Sequence, residues 1–325
     1  MYAVRLHEYG PAGNLRYERV DAPVPAAGQV RVDVRASGVH LIETTLRSGH
    51  GVGPHPAPAL PVVLGGEVAG VVSALGPGVE EDLLGRRVVA GLDTYGGYAE
   101  QAVVAADALH HVPGHVADDV AVAMVTTGAT ALGILDAADT EPGDVALVTS
   151  AAGGVGALLL QALRHRGVTV VGLAGGPEKV RLVSSLGADL AVDYRDPAWP
   201  DTVRDALGDR RPGLVFDGVG GPEGRRAFDL LGPAGTLLLH GWSSGTATRV
   251  TTDDVIERAV TVTWAIGPRM LRRAGTAREL QARALRAAAE GVLRPAVTRY
   301  PLALARDAHA DLEGRRTTGK VVLVP

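Results

Sequence analysis

The 325-residue chain has no cysteine, very little lysine and no long uninterrupted apolar run. Without cysteine, disulfides, thiolate-ligated zinc, iron–sulfur clusters and a cysteine nucleophile are excluded. The net charge of −4 provides no basic field for nucleic acid. The N-terminal segment MYAVRLHEYG has no apolar core of a signal peptide. Aspartates, threonines and a glycine interrupt residues 116–135, which predicts an internal helix rather than a membrane span. We therefore expect a cytoplasmic protein that binds neither nucleic acid nor membrane.

The composition supplies enough apolar material for a sizeable core, with 46% of residues hydrophobic and 21% charged. These fractions are ordinary for a globular protein, and the length corresponds to about two domains. The texture changes near residue 120, from short β-like runs between Gly/Pro-rich turns to apolar runs that alternate with helical segments. The second pattern predicts a doubly wound parallel sheet. We predict an α/β protein with a mostly β domain at 1–120, completed by 298–325, and a doubly wound domain at 121–297.

Individual elements follow from the same patterns. In the first domain the expected strands are Gln29–Ala36, Glu67–Leu75, Arg86–Ala90 and Tyr98–Val104. In the second domain they are Val145–Ser150, Val168–Ala174, Ala191–Asp193, Leu214–Asp217, Thr236–His240 and Val260–Ile266. The expected helices are Val155–Arg166, Glu178–Leu186, Arg225–Leu231 and Arg278–Glu290.

The strongest local signal is a glycine turn between an apolar strand and a helix, within Val145–Gly167. Gly153, Gly154 and Gly156 lack Cβ atoms, so the backbone can turn tightly and approach a pyrophosphate. The following helix offers free N–H groups and the positive end of its dipole. The spacing Ser150-x-x-Gly153-x-x-Gly156 departs from the strict G-x-G-x-x-G. Its position at a strand–helix junction nevertheless favours a dinucleotide site over a purely structural turn.

The end of the next strand distinguishes the two nicotinamide cofactors. NAD enzymes commonly place Asp or Glu there to hold the ribose hydroxyls, whereas residues 172–176 read GLAGG. Lys179, one of only two lysines in the chain, could supply a charge for a 2′-phosphate. The Tyr194 hydroxyl could bind the same group. Alternatively, Lys179 is an exposed residue of a helix and Tyr194 only packs against its neighbours. The pattern as a whole favours NADPH over NADH.

Several further motifs are spread over nearly the whole length: GGEVAGVV at 65–72, GRRV at 85–88, GGYAE at 96–100, AAGGVG at 151–156, DGVGG at 217–221 and RRTTGKVVL at 315–323. Together they resemble the medium-chain dehydrogenase/reductase superfamily, in particular its zinc-independent quinone oxidoreductase branch. The resemblance implies a GroES-like β domain plus a Rossmann domain, with NADPH in the cleft between them. It also implies a homodimer, for which the edge of the Rossmann sheet is a candidate surface.

The resemblance can be carried over residue by residue. It implies a 2′-phosphate site at Gly175, Lys179 and Tyr194, and a pyrophosphate site at Gly153, Gly154 and Val155. It places Thr130 opposite the nicotinamide and Ala265, Ile266 and Gly267 near the carboxamide. Beside the adenosine and nicotinamide ends it places Val219, His240, Gly241, Trp242 and Ser243.

The sequence departs from the family pattern where metal and substrate would lie. Zinc-dependent relatives carry a Cys at the position of His40, a His at that of Gly66 and a third ligand near Thr126. We therefore expect no metal, and zinc alcohol dehydrogenase is a disfavoured alternative. Surface positions are expected for His50, His55, His110 and His111, and a structural role for His309.

Relative to the quinone oxidoreductase pattern, His40 replaces an Asn, Glu43 an Asp and Thr45 a Tyr. His40 is a candidate proton donor, because imidazole can donate near neutral pH. The alternative is a histidine that packs or positions the cofactor. We take His40 and Thr45 as the candidate catalytic residues.

These expectations combine into one reaction. A quinone or an α,β-unsaturated carbonyl accepts hydride readily without a metal, since the charge delocalises onto oxygen. The protein would then supply orientation and a dry cleft, and NADPH the hydride. The alternative from another class is a non-catalytic NADPH-binding protein of the same fold.

Overall fold

The computed structural model describes residues 1–53, 55–92 and 94–325, which form two compact units. The first unit is Met1–Thr127 together with Gln281–Pro325, and the second is Gly128–Leu280. Both divisions fall in helical backbone, at a π-helical turn over Met124–Gly128 and inside a helix over Ala277–Ala289.

The described residues form strands and α-helices whose bounds are as follows. The strands are β1 (Tyr2–Leu6), β2 (Leu15–Arg19), β3 (Gln29–Val39), β4 (Val62–Val63), β5 (Glu67–Leu75), β6 (Arg87–Gly91), β7 (Gln101–Ala105), β8 (His110–His111), β9 (Val145–Val148), β10 (Thr169–Ala174), β11 (Leu190–Asp193), β12 (Leu214–Asp217), β13 (Thr236–Leu239), β14 (Thr261–Trp264), β15 (Val297–Pro301) and β16 (Lys320–Val324). The α-helices are α1 (Leu41–Arg47), α2 (Asp118–Ala123), α3 (Ala129–Ala137), α4 (Gly154–His165), α5 (Pro177–Ser185), α6 (Trp199–Leu207), α7 (Gly221–Asp229), α8 (Thr252–Arg258), α9 (Pro268–Ala274), α10 (Ala277–Ala289) and α11 (Ala305–Glu313).

The second unit contains a six-stranded sheet in the order β11-β10-β9-β12-β13-β14. All neighbouring strands are parallel. The order starts at the centre with β9 and winds outwards in both directions, which confirms the predicted doubly wound Rossmann sheet. Strands β9 and β12 are buried along their whole length, as continuous apolar strands in a parallel sheet should be. Its core includes Trp199 and Phe228.

The first unit is mostly β, as predicted. A seven-stranded sheet runs β15-β16-β3-β5-β6-β8, with β7 also paired to β3, and a three-stranded sheet runs β2-β1-β4. The C-terminal β16 pairs antiparallel with β3, with Val321 opposite Val39. Two apolar clusters lie in this unit, one around Val4, Leu64 and Leu323 and the other around Val32, Val72 and Val104.

Two further stretches of the chain bear on sequence expectations. Asp118–Ala137 is long and apolar enough to cross a membrane, but 67% of its most apolar window is buried in the protein. That burial is characteristic of an internal helix. The surface position predicted for His110 is wrong: the residue is buried in β8, and its Nε2 lies 3.0 Å from the side-chain oxygen of Gln281.

Candidate active site

The predicted cofactor residues of the second unit come together at one edge of its sheet. Because the strands are parallel, their carboxyl ends share an edge, and that edge is where dinucleotides bind in doubly wound folds. The segments that follow the six strands, which are loops and the first turns of α4 and α5, carry Gly153, Gly154, Val155, Gly175, Lys179, Tyr194, Val219, His240, Gly241, Trp242, Ser243, Ala265, Ile266 and Gly267. Thr130 lies instead in the first turn of α3. His40 and Thr45 belong to the first unit.

The glycine turn after β9 leaves no room for side chains. Gly153 precedes the first turn of α4 in an extended conformation, and Ser150 has a φ of +49°. A Cβ on Gly156 would lie 2.3 Å from the Ser150 carbonyl oxygen, well inside van der Waals contact. Gly153, Gly154 and Val155 are partly accessible, so the backbone N–H groups at the start of α4 can be approached.

The loop after β10 is a second glycine turn, and aromatic and basic side chains cover it. A Cβ on Gly175 would lie 2.7 Å from the Tyr194 hydroxyl oxygen, and one on Gly176 would lie 2.6 Å from Nη2 of Arg195. Lys179 stands in the first turn of α5, which starts immediately after this loop. One basic group and one hydroxyl therefore lie against Gly175 and Gly176, and Lys179 follows in the next turn of the chain.

The nearest carboxylate to this loop is bound to a cation. Asp193, at the end of β11, accepts the Gly176 N–H at 2.9 Å and pairs with Arg195 at 3.0 Å. The Arg195 hydrogen bond outweighs desolvation and lowers the pKa of Asp193 to about 2. Arg195 was not predicted from the sequence as a residue of this loop. Its position directly after Tyr194 could have indicated a second basic group there.

A buried carboxylate shapes the loop after β12. Asp217 accepts the Thr149 hydroxyl at 2.8 Å and the N–H groups of Val219 and Gly220 at 3.0 and 3.1 Å. Its other oxygen accepts the Thr248 hydroxyl. These bonds hold Val219 in a defined turn at the carboxyl edge.

His240, after β13, packs its ring against this turn. A Cβ on Gly218 would lie 2.5 Å from Cε1 of His240, so only glycine leaves room for the imidazole. Nε2 is enclosed and has no hydrogen-bond partner among the described residues. Burial outweighs the attraction of Asp217 and lowers the pKa of His240 to about 4, so the ring is neutral at pH 7. Trp242 follows with 40% of its surface exposed.

The last strand of the sheet ends in the predicted carboxamide loop. The Ala265 N–H donates to the Leu239 carbonyl at 2.8 Å, which continues the β13–β14 ladder. Gly267, with φ +81°, then starts α9. That helix packs closely on α3, because Gly133 leaves room for Met270.

In the first unit, three adjacent strands bring His40, Glu67 and Lys320 together. Lys320 Nζ lies 2.7 Å from Glu67 Oε1 and 2.9 Å from His40 Nε2, and His40 Nε2 lies 2.9 Å from the same carboxylate oxygen. Glu67 and Lys320 are buried, whereas 24% of the His40 side chain is exposed. Gly38 makes the arrangement possible, since its Cβ would lie 1.8 Å from Glu67 Oε1.

A second polar network lies beside it, around Glu43. This carboxylate accepts the Tyr98 hydroxyl at 2.6 Å, the His40 N–H at 2.8 Å and the Gly66 N–H at 3.0 Å. His309 Nε2 lies 3.0 Å from the same hydroxyl oxygen. Burial, and to a lesser degree the charge of Arg47, lower the pKa of His309 to about 3. Burial and Glu43 raise that of Tyr98 well above its ordinary value. The neutral His309 therefore donates to Tyr98, which donates to Glu43.

Thr45 lies in α1, half-buried, and its carbonyl accepts the N–H groups of Ser48 and His50. Its hydroxyl makes no hydrogen bond with the described part of the chain. The structure therefore shows no partner through which Thr45 would be activated.

The donor set of the first unit does not fit a zinc ion. Among the described residues no group of three or more His, Cys, Asp or Glu side chains could hold a metal. Glu67, the one carboxylate against His40, is already neutralised by the Lys320 ammonium group. A zinc site needs at least three protein ligands, so no metal-dependent step is derived for this chain.

Comparisons with known proteins agree with this architecture. Family models match residues 26–114 as an alcohol dehydrogenase GroES-like domain and residues 186–323 as a zinc-binding dehydrogenase. A 2-haloacrylate reductase from Burkholderia sp is 32% identical over 99% of this chain and 98% of its own length. A quinone oxidoreductase from Pseudomonas aeruginosa is 32% identical over 99% of both chains. A mycobacterial structure complexed with NADPH covers 100% of both chains at 36% identity and a TM-score of 0.87.

The sheet order, the two-unit architecture and these full-length similarities define a medium-chain dehydrogenase/reductase. The chain belongs to the quinone oxidoreductase branch of that superfamily. The family predicted from the sequence motifs is confirmed, and so are the expected GroES-like and Rossmann folds.

Proposed function

We propose that this protein is an NADPH-dependent oxidoreductase that transfers hydride to a quinone or an α,β-unsaturated carbonyl compound. The observation that carries the proposal is the carboxyl edge of the parallel sheet. There the glycine turn over 153–156 opens α4, the side chains of Tyr194 and Arg195 lie against the neighbouring loop, and Lys179 stands in the first turn of the helix that follows it. Relatives named quinone oxidoreductase and 2-haloacrylate reductase, and a neighbour complexed with NADPH, support the same reaction class.

The residues present fit a phosphorylated dinucleotide. The start of α4 offers N–H groups and the positive end of a helix dipole to a pyrophosphate. Gly175, at the end of β10, stands where an NAD enzyme commonly has Asp or Glu. Lys179 and Arg195 would hold the 2′-phosphate, with the Tyr194 hydroxyl as a third donor.

The chemistry that the nicotinamide supplies is a hydride. The acceptor must then delocalise the resulting negative charge itself, because the described residues include no group of three or more His, Cys, Asp or Glu side chains that could hold a metal. Quinones and α,β-unsaturated carbonyl compounds can delocalise that charge onto oxygen. A 2-haloacrylate belongs to the second class, because it is an α,β-unsaturated carboxylic acid. The remaining task of the protein is to orient the acceptor and to provide one proton, for which we propose His40.

NADPH oxidation by the purified protein tests the proposal, with a benzoquinone, a naphthoquinone, an alkenal, a cyclic enone and 2-chloroacrylate as acceptors. NADH is run in parallel as the matched control for the 2′-phosphate. We expect turnover with at least one acceptor and a clear preference for NADPH. Tight NADPH binding without turnover on any acceptor would contradict the proposal and support a binding protein without chemistry.

We also propose that the protein is a homodimer joined through the edge of the Rossmann sheet. Strand β14 ends that sheet, and its Trp264 is 44% exposed. The Trp264 ring lies 5.3 Å from that of Trp242, so the two form one aromatic surface. An exposed strand edge with aromatic cover suits pairing with a second copy about a twofold axis.

A further inference from the structure

The parallel sheet of the second unit reverses its winding between β9 and β12. From β9 the chain continues outwards through β10 and β11, and from β12 it continues the other way through β13 and β14. A doubly wound sheet has a crevice at that point, outside the carboxyl ends of the strands, and dinucleotides bind across it. The residues that join the ends of β9 and β12 therefore lie at the floor of the candidate cofactor site.

Thr149 and Asp217 join these two strand ends. Thr149 directly follows β9, and Asp217 is the last residue of β12. The Thr149 hydroxyl donates to Asp217 Oδ1 at 2.8 Å and accepts the Gly218 N–H at 2.9 Å. The next residue, Ser150, has a φ of +49° and starts the turn that leads into α4. This hydroxyl therefore couples the glycine turn after β9 to the turn after β12.

The loop after β13 is attached to the same turn. The Ser244 N–H donates to the Val219 carbonyl at 2.8 Å. Further along this loop, the Thr248 hydroxyl donates to Oδ2 of Asp217. The two carboxylate oxygens of Asp217 thus connect the segments that follow three adjacent strands, β9, β12 and β13. We call Thr149, Asp217 and Thr248 the Asp217 cluster.

Hydrogen bonds alone stabilise the buried carboxylate of this cluster. Asp217 is 0% exposed, and no ion pair within the described part of the chain neutralises it. Besides the two threonine hydroxyls, its donors are the N–H groups of Val219 and Gly220, at 3.0 and 3.1 Å. A buried charge without a counterion depends on every such donor. Each hydroxyl of the cluster therefore contributes to holding the turn.

Gly224, in α7, provides the space for the cluster. A Cβ at this position would lie 2.0 Å from Thr248 Oγ1 and 2.5 Å from Asp217 Oδ2. A side chain there would push the hydroxyl away from the carboxylate. The helix that follows the turn is therefore fitted to the bond between Thr248 and Asp217.

We propose that Asp217 is a positioning residue for NADPH, which holds the loops after β9, β12 and β13 in the arrangement that receives the dinucleotide. This role rests on the proposed function, because it takes the carboxyl edge as the cofactor site. The enclosed carboxylate acts through the loops and does not itself touch the cofactor. Its bonds lie within the chain, so the loops are preorganised and NADPH need not order them on binding.

The position of the cluster predicts how it affects the two nicotinamide cofactors. The candidate 2′-phosphate residues follow β10 and β11, on the other side of β9. The Asp217 cluster lies at β9, β12 and β13, where NADPH and NADH present the same groups. Loss of the cluster should therefore weaken both cofactors by the same factor, unlike loss of Lys179.

Cofactor binding measures this role without any acceptor. Thr149→Val and Thr248→Val nearly keep the side-chain shape and remove the hydroxyl donor. We expect each to raise the Kd values for NADPH and NADH equally, by about tenfold, since a hydrogen bond to a charged group is lost. Asp217→Ala should raise both values further, and Asp217→Asn, which keeps an acceptor oxygen, should restore part of the affinity. Fluorescence titration gives the Kd values.

Thr169→Val is the matched control for the two threonine variants. It makes the same change in the same sheet, at the amino end of β10, where the hydroxyl accepts Nη2 of Arg210 at 3.3 Å. It should bind both cofactors as the wild type does. Hydrogen exchange of the cofactor-free chain is the second measurement. The N–H groups of Val219 and Gly220 should exchange faster in the cluster variants, whereas those of β10 should keep their protection.

The outcomes separate positioning from a merely structural role. Cluster variants that melt at lower temperature but keep both Kd values would overturn the proposal, and so would a loss confined to NADPH. The threonine variants decide the question if Asp217→Ala does not fold. With an acceptor that the wild type reduces, the KM for NADPH should rise and the turnover number should stay unchanged. A wild type that binds NADPH but reduces no acceptor would refute the proposed function, and the Kd values would still decide on the cluster.

Discussion

Lys179 and Arg195 differ in how much each can contribute to a 2′-phosphate site. Lys179 is half-buried in the first turn of α5, whereas 58% of the Arg195 side chain is exposed and its guanidinium already pairs with Asp193. Exposed ion pairs contribute little because solvent screens them. Lys179 should therefore carry most of the preference for NADPH, and Arg195 a smaller part.

We predict that Lys179→Ala lowers kcat/KM for NADPH by about tenfold to a hundredfold, since a charge-assisted hydrogen bond contributes about 1.5–3 kcal/mol. The same ratio for NADH should hardly change, because the missing charge faces only the 2′-phosphate. Steady-state kinetics with both cofactors measure the two ratios. Arg204→Ala removes an exposed cation that pairs with Asp201, and serves as the control. Equal losses with NADPH and NADH would show that Lys179 is merely structural.

At the scale of elements, the sequence predicts the parts of the site that lie within one strand–loop–helix unit. Strands β5 and β12 have the predicted bounds, and α4 starts one residue before the prediction. Glycine patterns carry these predictions because the constraint is local: a Cβ at Gly156 would meet the carbonyl of Ser150, six residues earlier in the chain. The glycine turns of the candidate cofactor site could therefore be placed without knowledge of the tertiary structure.

The polar networks of the first unit could not be predicted in that way. Tyr98 meets Glu43 and His309 across sequence separations of 55 and 211 residues. Likewise, β3 was predicted to end at Ala36 but continues to Val39, where it pairs with the C-terminal β16. These contacts depend on register between distant strands, and no local pattern encodes that register. The sequence marks Lys320 only as one of two lysines in the chain, which does not predict its contacts with Glu67 and His40.

We predict that Gly156→Ala disrupts the turn before α4. The new Cβ would lie 2.3 Å from the Ser150 carbonyl oxygen and 3.0 Å from Ala151 Cα, so the backbone would have to move. Overpacking of this kind costs about 1–3 kcal/mol, and the shifted N–H groups should weaken NADPH binding by more than tenfold. Thermal melting and fluorescence titration with NADPH measure the two effects.

Gly213→Ala provides a matched control for this substitution. It lies in the same unit, and a Cβ there would meet nothing within 4 Å. Its stability and its Kd for NADPH should be close to those of the wild type. If Gly156→Ala binds NADPH as tightly as this control, the turn is not the pyrophosphate site.

At the scale of the whole molecule, two histidines whose pKa values are lowered by the burial of their rings make stability depend on pH. The folded-state pKa values of His240 and His309 are lowered to about 4 and about 3, so both rings are neutral when folded, whereas an unfolded histidine titrates at about 6.5. Below that value the unfolded chain binds more protons than the folded one. Their stabilising effect is therefore full above pH 6.5 and is lost as the pH falls towards 4 and 3 respectively.

We predict that the free energy of unfolding falls between pH 6.5 and pH 4, by up to about 1.4 kcal/mol per pH unit for each ring. His240 lies in the second unit and His309 in the first, so urea unfolding should show both units weakening together. His309→Gln should flatten the slope of the first unit by about one proton, whereas His111→Gln, at an exposed site of the same unit, should leave it unchanged. An equal slope in His309→Gln and wild type would contradict the buried neutral state.

The edge of the Rossmann sheet is the surface through which we expect two copies of the chain to associate. Strand β14 pairs only with β13 among the described residues, so its outer side presents unpaired backbone groups beside the exposed Trp264. Such an edge promotes association unless it is covered.

We predict a dimer in solution, and Trp264→Glu should shift it to a monomer, because two negative charges would meet near the twofold axis. Light scattering coupled to size-exclusion chromatography gives the masses, and Leu84→Glu, at a 56% exposed site in the first unit, is the control that should stay dimeric. A dimer that survives Trp264→Glu with native thermal stability would place the interface on a surface other than β14.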